Sequence, residues 1–383
     1  MSVKKADKVS GPGRFNSDEI KRLGSVLIAI PTAVLLLYLF WGGKSTKFDE
    51  LALGEFTSSV FGRYKGMPVH CHDVSDADVC LGPAAKRSLS KSILWLGNSQ
   101  LHGINKAKPG QQPASTLLAQ KWRPRGVEVL SFSQPNASLR EHYVLLEYLL
   151  SKRRFDVLLL PLVYDDTREG GIRQDVAVGA DDGKVRRRLS STDAGRAILK
   201  RIGSSLGADK KQKPKKTLQD RAEQTITTML ETCCGWKTLR QEARGSIYRT
   251  IYDSRNRLFG IDPTTKRRRL PATYQSNLDA LQVIIERARG QGAQVIAYIA
   301  PLRRDVPSPY VASEYTDFKQ SVARILRAEK GHLLNLEDLV PGRFWEQEGK
   351  QGSNEGLDFM HFKYAGHALL GQALDRAIEK VLK

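Results

Sequence analysis

The sequence predicts a three-layer α/β fold built around a mostly parallel five-stranded sheet. Two observations carry this expectation. Short continuous apolar runs recur along the C-terminal three quarters of the 383-residue chain, as expected for strands buried on both faces. Between them lie segments whose apolar residues recur every three or four positions, the pattern of helices that pack on a sheet. In such folds, functional side chains gather beyond the C-terminal ends of the strands.

The elements follow in chain order. Residues 1–23 are polar, with six Lys or Arg against three acidic residues, and read as a cytoplasmic tail. Ser25 to Trp41, "SVLIAIPTAVLLLYLFW", runs 17 residues without a charge and falls near the lower length limit of a spanning helix. Tyr38 and Trp41 stand at one end, where interfacial aromatics belong. No small-residue cleavage site follows Trp41, and the run is long for the core of a signal peptide. Residues 24–42 are therefore read as an uncleaved anchor. Its basic flank is N-terminal, which places the rest of the chain outside the cytoplasm. The expectation is a single-pass protein of the inner membrane with a periplasmic domain.

Residues 45–90 read as a membrane-proximal segment, and 91–383 as the main domain. Its strands are expected at Ile93–Leu96, Val127–Ser131, Val157–Leu160, Val295–Ile299 and Leu333–Leu336. Helical stripes are Tyr143, Leu146 and Leu150; Leu278, Leu281 and Ile285; Phe318, Val322 and Ile325; and Leu370, Leu374 and Ile378. The alternation breaks between about Asp166 and Thr273. Residues 170–273 are read as an insertion outside the sheet, with helices at Thr217–Glu231 and Leu239–Leu258.

The formal charge of +20 is concentrated in clusters such as Lys184–Arg188, Lys210–Lys216 and Lys266–Arg269. It calls for solvated loops or for an anionic partner. No zinc-finger spacing or RNA-binding aromatic signature accompanies the clusters, and an extracytoplasmic domain meets no nucleic acid. An anionic envelope polymer or lipid is the partner that fits. The four cysteines, Cys71, Cys80, Cys233 and Cys234, allow three connectivities in an oxidising compartment. The local pair Cys71–Cys80 is the simplest, with cross-links to Cys233 and Cys234 as the competitor. "HCHD", His70 to Asp73, lacks a second ligand pair at zinc spacing, so neither metal nor cofactor is expected.

Three segments carry candidate chemistry. "ILWLGNSQ", Ile93 to Gln100, delivers Ser99 to the end of a buried strand, flanked by Asn98 and Gln100. Ser99 there is either a nucleophile or the first residue of a turn. "GLDFMHFKYAGH" places Asp358 three residues before His361. The carboxylate either orients an imidazole that faces a serine or caps a turn. In "SFSQPNAS", Asn136 precedes a helix and is either an oxyanion donor or a turn or N-cap residue.

Taken together, the order of these segments resembles the SGNH (GDSL-like) hydrolase superfamily, with its flavodoxin-like sheet, over roughly residues 90–383. The family's first block, Gly-Asp-Ser, reads Gly97-Asn98-Ser99 here; its terminal Asp-x-x-His is matched by Asp358 and His361. The resemblance implies Ser99 as nucleophile, His361 as base and Asp358 as its orienting carboxylate. Asn136, with Gln100 and Asn98 beside the serine, is expected to serve the oxyanion and substrate. The third block, usually Gly-x-Asn-Asp, is degenerate: "PLVYDDTRE" offers Asp165 or Asp166 and no asparagine; either these carboxylates pair with arginines such as Arg168 or Arg173 or face away from Ser99, or the oxyanion hole is built differently. Together with the anchor, the chain resembles the membrane-anchored DltD-like branch. That branch implies a serine acyltransferase or esterase acting on D-alanyl or acetyl esters of an envelope glycan or lipid, beside a membrane-bound O-acyltransferase. A non-catalytic polymer-binding adaptor for that membrane enzyme is the alternative.

Overall fold

The computed structural model describes residues 63–85, 89–101, 110–134, 136–211, 266–345 and 359–382. The anchor run Ser25–Trp41, both helices expected within 217–258, Cys233, Cys234 and Asp358 lie outside these residues. Among the described residues, no helix is long and apolar enough to cross a membrane.

A short antiparallel hairpin, β1 (Arg63–Tyr64) and β2 (Met67–Pro68), precedes β3 (His70–Cys71) and helix α1 (Ala77–Ala85). There follow β4 (Lys91–Gly97), α2 (Ala114–Trp122), β5 (Val127–Ser133), α3 (Leu139–Lys152) and β6 (Val157–Leu162). A helical stretch comes next: α4 (Gln174–Ala177), α5 (Gly183–Ser190) and α6 (Asp193–Lys211). The chain closes with α7 (Pro271–Gly290), β7 (Gln294–Ile299), α8 (Ala312–Ala328), β8 (His332–Asn335) and α9 (Tyr364–Leu382).

The five expected strands all form, each within two residues of its expected bounds. They lie in one sheet of order β3-β5-β4-β6-β7-β8, in which every pair is parallel. The sheet thus has six strands and not five. The addition is β3, from the segment read as membrane-proximal: His70 and Cys71 pair with Ser131 and Phe132 at the edge. Two residues are too few to register as a strand in the sequence, and it is the partner strand that makes them one. A disulfide joins Cys71 to Cys80 of α1, so the local pairing is the one formed.

Alternation along the strands divides the core in two. Leu94, Leu96, Leu158, Leu160, Val295 and Ala297 face one layer, shared with α3, α7 and α8. Ile93, Trp95, Val157, Leu159, Ile296 and Tyr298 face the other, shared with α2 and α9. Residues 174–211, within the stretch read as an insertion outside the sheet, add no strand and pack on the first layer. Val176, Ala180, Val185, Leu189, Ile198 and Ile202 are buried in the first layer. Glu147 of α3, itself buried, pairs with Arg188 of this stretch at 3.7 Å and with Arg287 of α7 at 2.9 Å.

The strand order reverses at β4. From it the chain moves outward to β5, then crosses back to β6 on the other side. The crevice beyond the C-terminal ends of β4 and β6 is where an open parallel sheet of this order offers a ligand site.

Candidate active site

Ser99 stands at that crevice. Strand β4 ends at Gly97, whose position tolerates no side chain: a Cβ there would lie 2.2 Å from Leu101 Cδ1 and 2.7 Å from Ser133 Oγ. This close approach lets the chain turn at once into a single 3-10 turn, Ser99–Leu101. Asn98 closes the turn. Its Oδ1 accepts from the Gln100 N–H at 3.0 Å, and its carbonyl accepts from the Leu101 N–H at 3.1 Å.

His361 reaches the same point from the far end of the chain. Its Nε2 lies 3.0 Å from Ser99 Oγ, across 262 residues of sequence. The ring is carried by residues 359–363, directly before α9. This segment is held on one side by the antiparallel bridge Trp345–Phe362 and by the Lys363 N–H, which donates to the Phe344 carbonyl at 2.7 Å. Helix α9 is anchored to α2, where Trp122 Nε1 donates to Asp375 Oδ1 at 3.0 Å and Lys121 pairs with the same carboxylate. Ser99 is 5 % exposed and His361 is half-buried.

Gln100 is placed differently from the expectation that it serves oxyanion or substrate. Its side chain is buried, and Nε2 donates to the Pro301 carbonyl at 2.9 Å and the Met360 carbonyl at 3.1 Å. Asn98 is buried as well, and its amide is engaged within the protein. Nδ2 donates to Asp166 Oδ2 at 2.8 Å.

Asp166 therefore does not seek an arginine. It follows β6 in a 3-10 turn, Asp165–Thr167, and meets the residue directly before Ser99. Burial raises its carboxyl well above the usual range; the Asn98 amide opposes this, and the nearby Asp165, Glu169 and Glu141 add to it. Asp165 behaves as expected of both, pairing with Arg168 at 3.3 Å and with Arg267, and accepting from Tyr310 Oη at 3.2 Å. Arg173 turns instead to Glu141, at 3.0 Å, and to Gln134 Oε1, at 2.9 Å.

Asn136 is exposed, with φ at 51°, in the left-handed region that asparagine tolerates. The helix that follows is capped by Ser138 and not by Asn136. Ser138 Oγ accepts from the Glu141 N–H at 3.2 Å, and Glu141 Oε2 from the Ser138 N–H at 3.0 Å, a full capping box. What this loop brings to the nucleophile turn is backbone: the Gln134 N–H donates to the Gly97 carbonyl at 3.2 Å.

The "HCHD" residues are engaged in local structure. His70 Nδ1 lies 3.0 Å from Ser131 Oγ, His72 pairs with Asp76, and Asp73 caps the turn before α1. Among the described residues, no group of three or more His, Cys, Asp or Glu is arranged to hold a metal.

Near His361 the surface is basic. The Arg267 guanidinium lies over the Phe359 ring, 4.6 Å from its centroid, while Lys266 and Arg268 beside it are exposed.

No family model matches the chain, and no curated protein matches it. Solved structures do. TesA is 13 % identical, with a TM-score of 0.38, covering 76 % of this chain and 99 % of its own. A lipase/acylhydrolase from Enterococcus faecalis is 12 % identical at 0.38, covering 76 % and 96 %. An acetyl xylan esterase from Geobacillus stearothermophilus is 9 % identical at 0.37, covering 76 % and 94 %. Likenesses of this depth assign no activity.

Proposed function

We propose that this chain is an SGNH-type serine esterase or acyltransferase. The observation that carries the reading is the 3.0 Å contact of Ser99 Oγ with His361 Nε2 at the reversal of the sheet. A serine hydroxyl becomes a competent nucleophile when an imidazole within hydrogen-bond reach takes its proton.

The reaction runs in two steps. Ser99 Oγ attacks the carbonyl carbon of an ester while His361 Nε2 takes the hydroxyl proton. The carbonyl oxygen carries the resulting negative charge, and the Ser99 backbone N–H is assigned to stabilise it. The intermediate collapses, the C–O bond to the alcohol breaks, and His361 returns the proton to the departing alkoxide. An acyl ester remains on Ser99. Water or an acceptor hydroxyl then attacks it, with His361 taking the incoming proton and returning it to Ser99. Water gives hydrolysis; a sugar or polyol hydroxyl gives transfer. Asp358, three residues before His361, is assigned the orienting carboxylate on the motif alone.

The setting is proposed from the sequence. The run Ser25–Trp41 anchors the chain in the inner membrane, with the domain in the periplasm. The acyl group is D-alanyl or acetyl, the acceptor an anionic envelope glycan or lipid, and the donor system a membrane-bound O-acyltransferase. The basic rim at Lys266–Arg268, beside the His361 loop, supports an anionic acceptor. A non-catalytic adaptor role is favoured by one observation, the aspartate at 166 where the family pattern has a neutral amide.

One experiment separates the two. A fluorophosphonate should label the wild-type chain and not Ser99→Ala, and p-nitrophenyl acetate should be hydrolysed by the first only. Absence of both from a folded wild-type protein would leave the adaptor reading in its place.

A further inference from the structure

We propose that Gln100 is a positioning residue that sets the geometry between Ser99 and His361. The catalytic meaning of this role rests on the reading of Ser99 as nucleophile; its geometric content does not.

Ser99 and His361 sit on loops from opposite ends of the chain, and a contact between two such loops holds only if something fixes their separation. Gln100 is next to Ser99 in sequence and touches the residue next to His361. Its Nε2 donates to the Met360 carbonyl at 3.1 Å and to the Pro301 carbonyl, just beyond β7, at 2.9 Å. One primary amide therefore ties three segments: the nucleophile turn, the end of β7 and the histidine loop. Both partners are carbonyls, so the amide must present its nitrogen, and both of its hydrogens are used. No other side chain of similar length offers two donors and no charge. Lysine would bury an ammonium, and a glutamate would turn a carboxylate toward two carbonyl oxygens.

The amide is enclosed, with Gln100 2 % exposed, so water cannot replace it cheaply. Its own backbone is fixed from the other side, because its N–H donates to Asn98 Oδ1 at 3.0 Å. The clamp is thus held at both ends. Its loss removes one donor from each of the Pro301 and Met360 carbonyls, and the Met360–His361 backbone relaxes away from the serine turn. A displacement of about 1 Å between a nucleophile and its base costs roughly 100-fold in rate.

The test uses Gln100→Met, which preserves length and packing and removes both donors, and Gln100→Glu, nearly isosteric but, as a carboxylate, without either donor. Crystal structures of the full-length wild type and Gln100→Met decide the geometric claim. The Ser99 Oγ to His361 Nε2 distance is expected to exceed 3.5 Å in the variant while the sheet is unchanged; a retained 3.0 Å contact overturns the proposal. Kinetics on p-nitrophenyl acetate decide its consequence. Both variants are expected to lose about 100-fold in kcat with KM within threefold of wild type, and to react with a fluorophosphonate more slowly but to full stoichiometry. A wild-type kcat in folded Gln100→Met also overturns it. Partial stoichiometry at an unchanged rate would mean that Gln100 only supports folding, and likewise refutes the positioning role. A wild type that is inert to both reagents counts against the esterase reading alone, with the clamp still judged by the two structures.

Discussion

Asn98 Nδ2 donates to Asp166 Oδ2 at 2.8 Å, which fastens the residue before Ser99 to the loop after the neighbouring strand β6. The contact is buried, and it joins the two sides of the crevice at which the strand order reverses. It also gives Asp166 a pH signature. The carboxyl is raised above its ordinary value of 3.8 chiefly by burial. In the unfolded chain it loses its proton near that ordinary value; in the folded protein it keeps the proton to higher pH. The stability it contributes is therefore full below about pH 4 and is lost as pH rises through the folded value. Asp166→Asn keeps an acceptor for Asn98 and carries no charge. Thermal unfolding should show the variant more stable than wild type at pH 7, with the gap closing at pH 4. A gap that widens toward acid would mean that Asp166 is ionised in its site.

Removal of the catalytic groups should separate chemistry from folding. Ser99→Ala and His361→Ala are each expected to lower ester hydrolysis by at least about 10⁴-fold. Asp358→Ala should lower it by roughly 10³- to 10⁴-fold if it orients the imidazole. Ser99→Ala removes one oxygen from a crevice floor and should move stability by less than about 1 kcal/mol. Steady-state rates and denaturant midpoints on the same preparations check both statements.

Asn136 should matter little to the reaction. It is exposed and in the left-handed region, while Ser138 and Glu141 perform the capping. Asn136→Gly is expected to leave turnover within threefold of wild type. Asn136→Val should cost about 1–2 kcal/mol, because a β-branched residue is strained at positive φ. A hundredfold fall in kcat for Asn136→Gly would restore its side chain to the oxyanion site.

Charge at the rim should govern choice of substrate. Arg267 is packed on Phe359 and shared with Asp165, and Arg268 beside it is exposed. Arg267→Gln combined with Arg268→Gln is expected to raise KM for an anionic ester about tenfold relative to KM for a neutral one. The wild-type preference for the anionic ester should also fade as salt rises from 50 to 500 mM, because exposed charges are screened. Equal KM changes for the two esters would remove the rim from the binding account.

Acid should weaken the fold through its buried histidines. His70 and His142 are lowered from 6.5 to about 3, in both cases mainly by burial, with nearby positive groups adding to the shift. A lowered value means stability that is present above pH 6.5 and lost as pH falls toward 3. His142→Gln should flatten the decline of unfolding temperature between pH 6.5 and pH 4. An unchanged slope would show that His142 already charges in the native state.

The sequence by itself determined the five main strands, because each is a run such as Ile93–Leu96 or Val295–Ile299 that is apolar on both faces. It also determined the final helix, through the stripe Leu370, Leu374 and Ile378, and the pairing of Ser99 with His361, through motifs that keep their spacing. These are local patterns: a buried strand needs apolar neighbours in sequence, and a motif needs only its own residues in order. Tertiary structure alone decided the rest. His70–Cys71 is a strand only because β5 offers an open edge. Residues 174–202 read as an insertion outside the sheet, and only the fold shows that they pack on the layer of α3 and α7. Gln100, Asn98 and Asp166 carry no periodic or motif signal for what they touch. Their partners, Met360, Pro301 and each other, lie 68 to 260 residues away. A single polar side chain satisfies its hydrogen bonds wherever the fold brings a carbonyl or carboxyl within reach. That placement is fixed by the packing of the whole sheet and not by any neighbour in sequence.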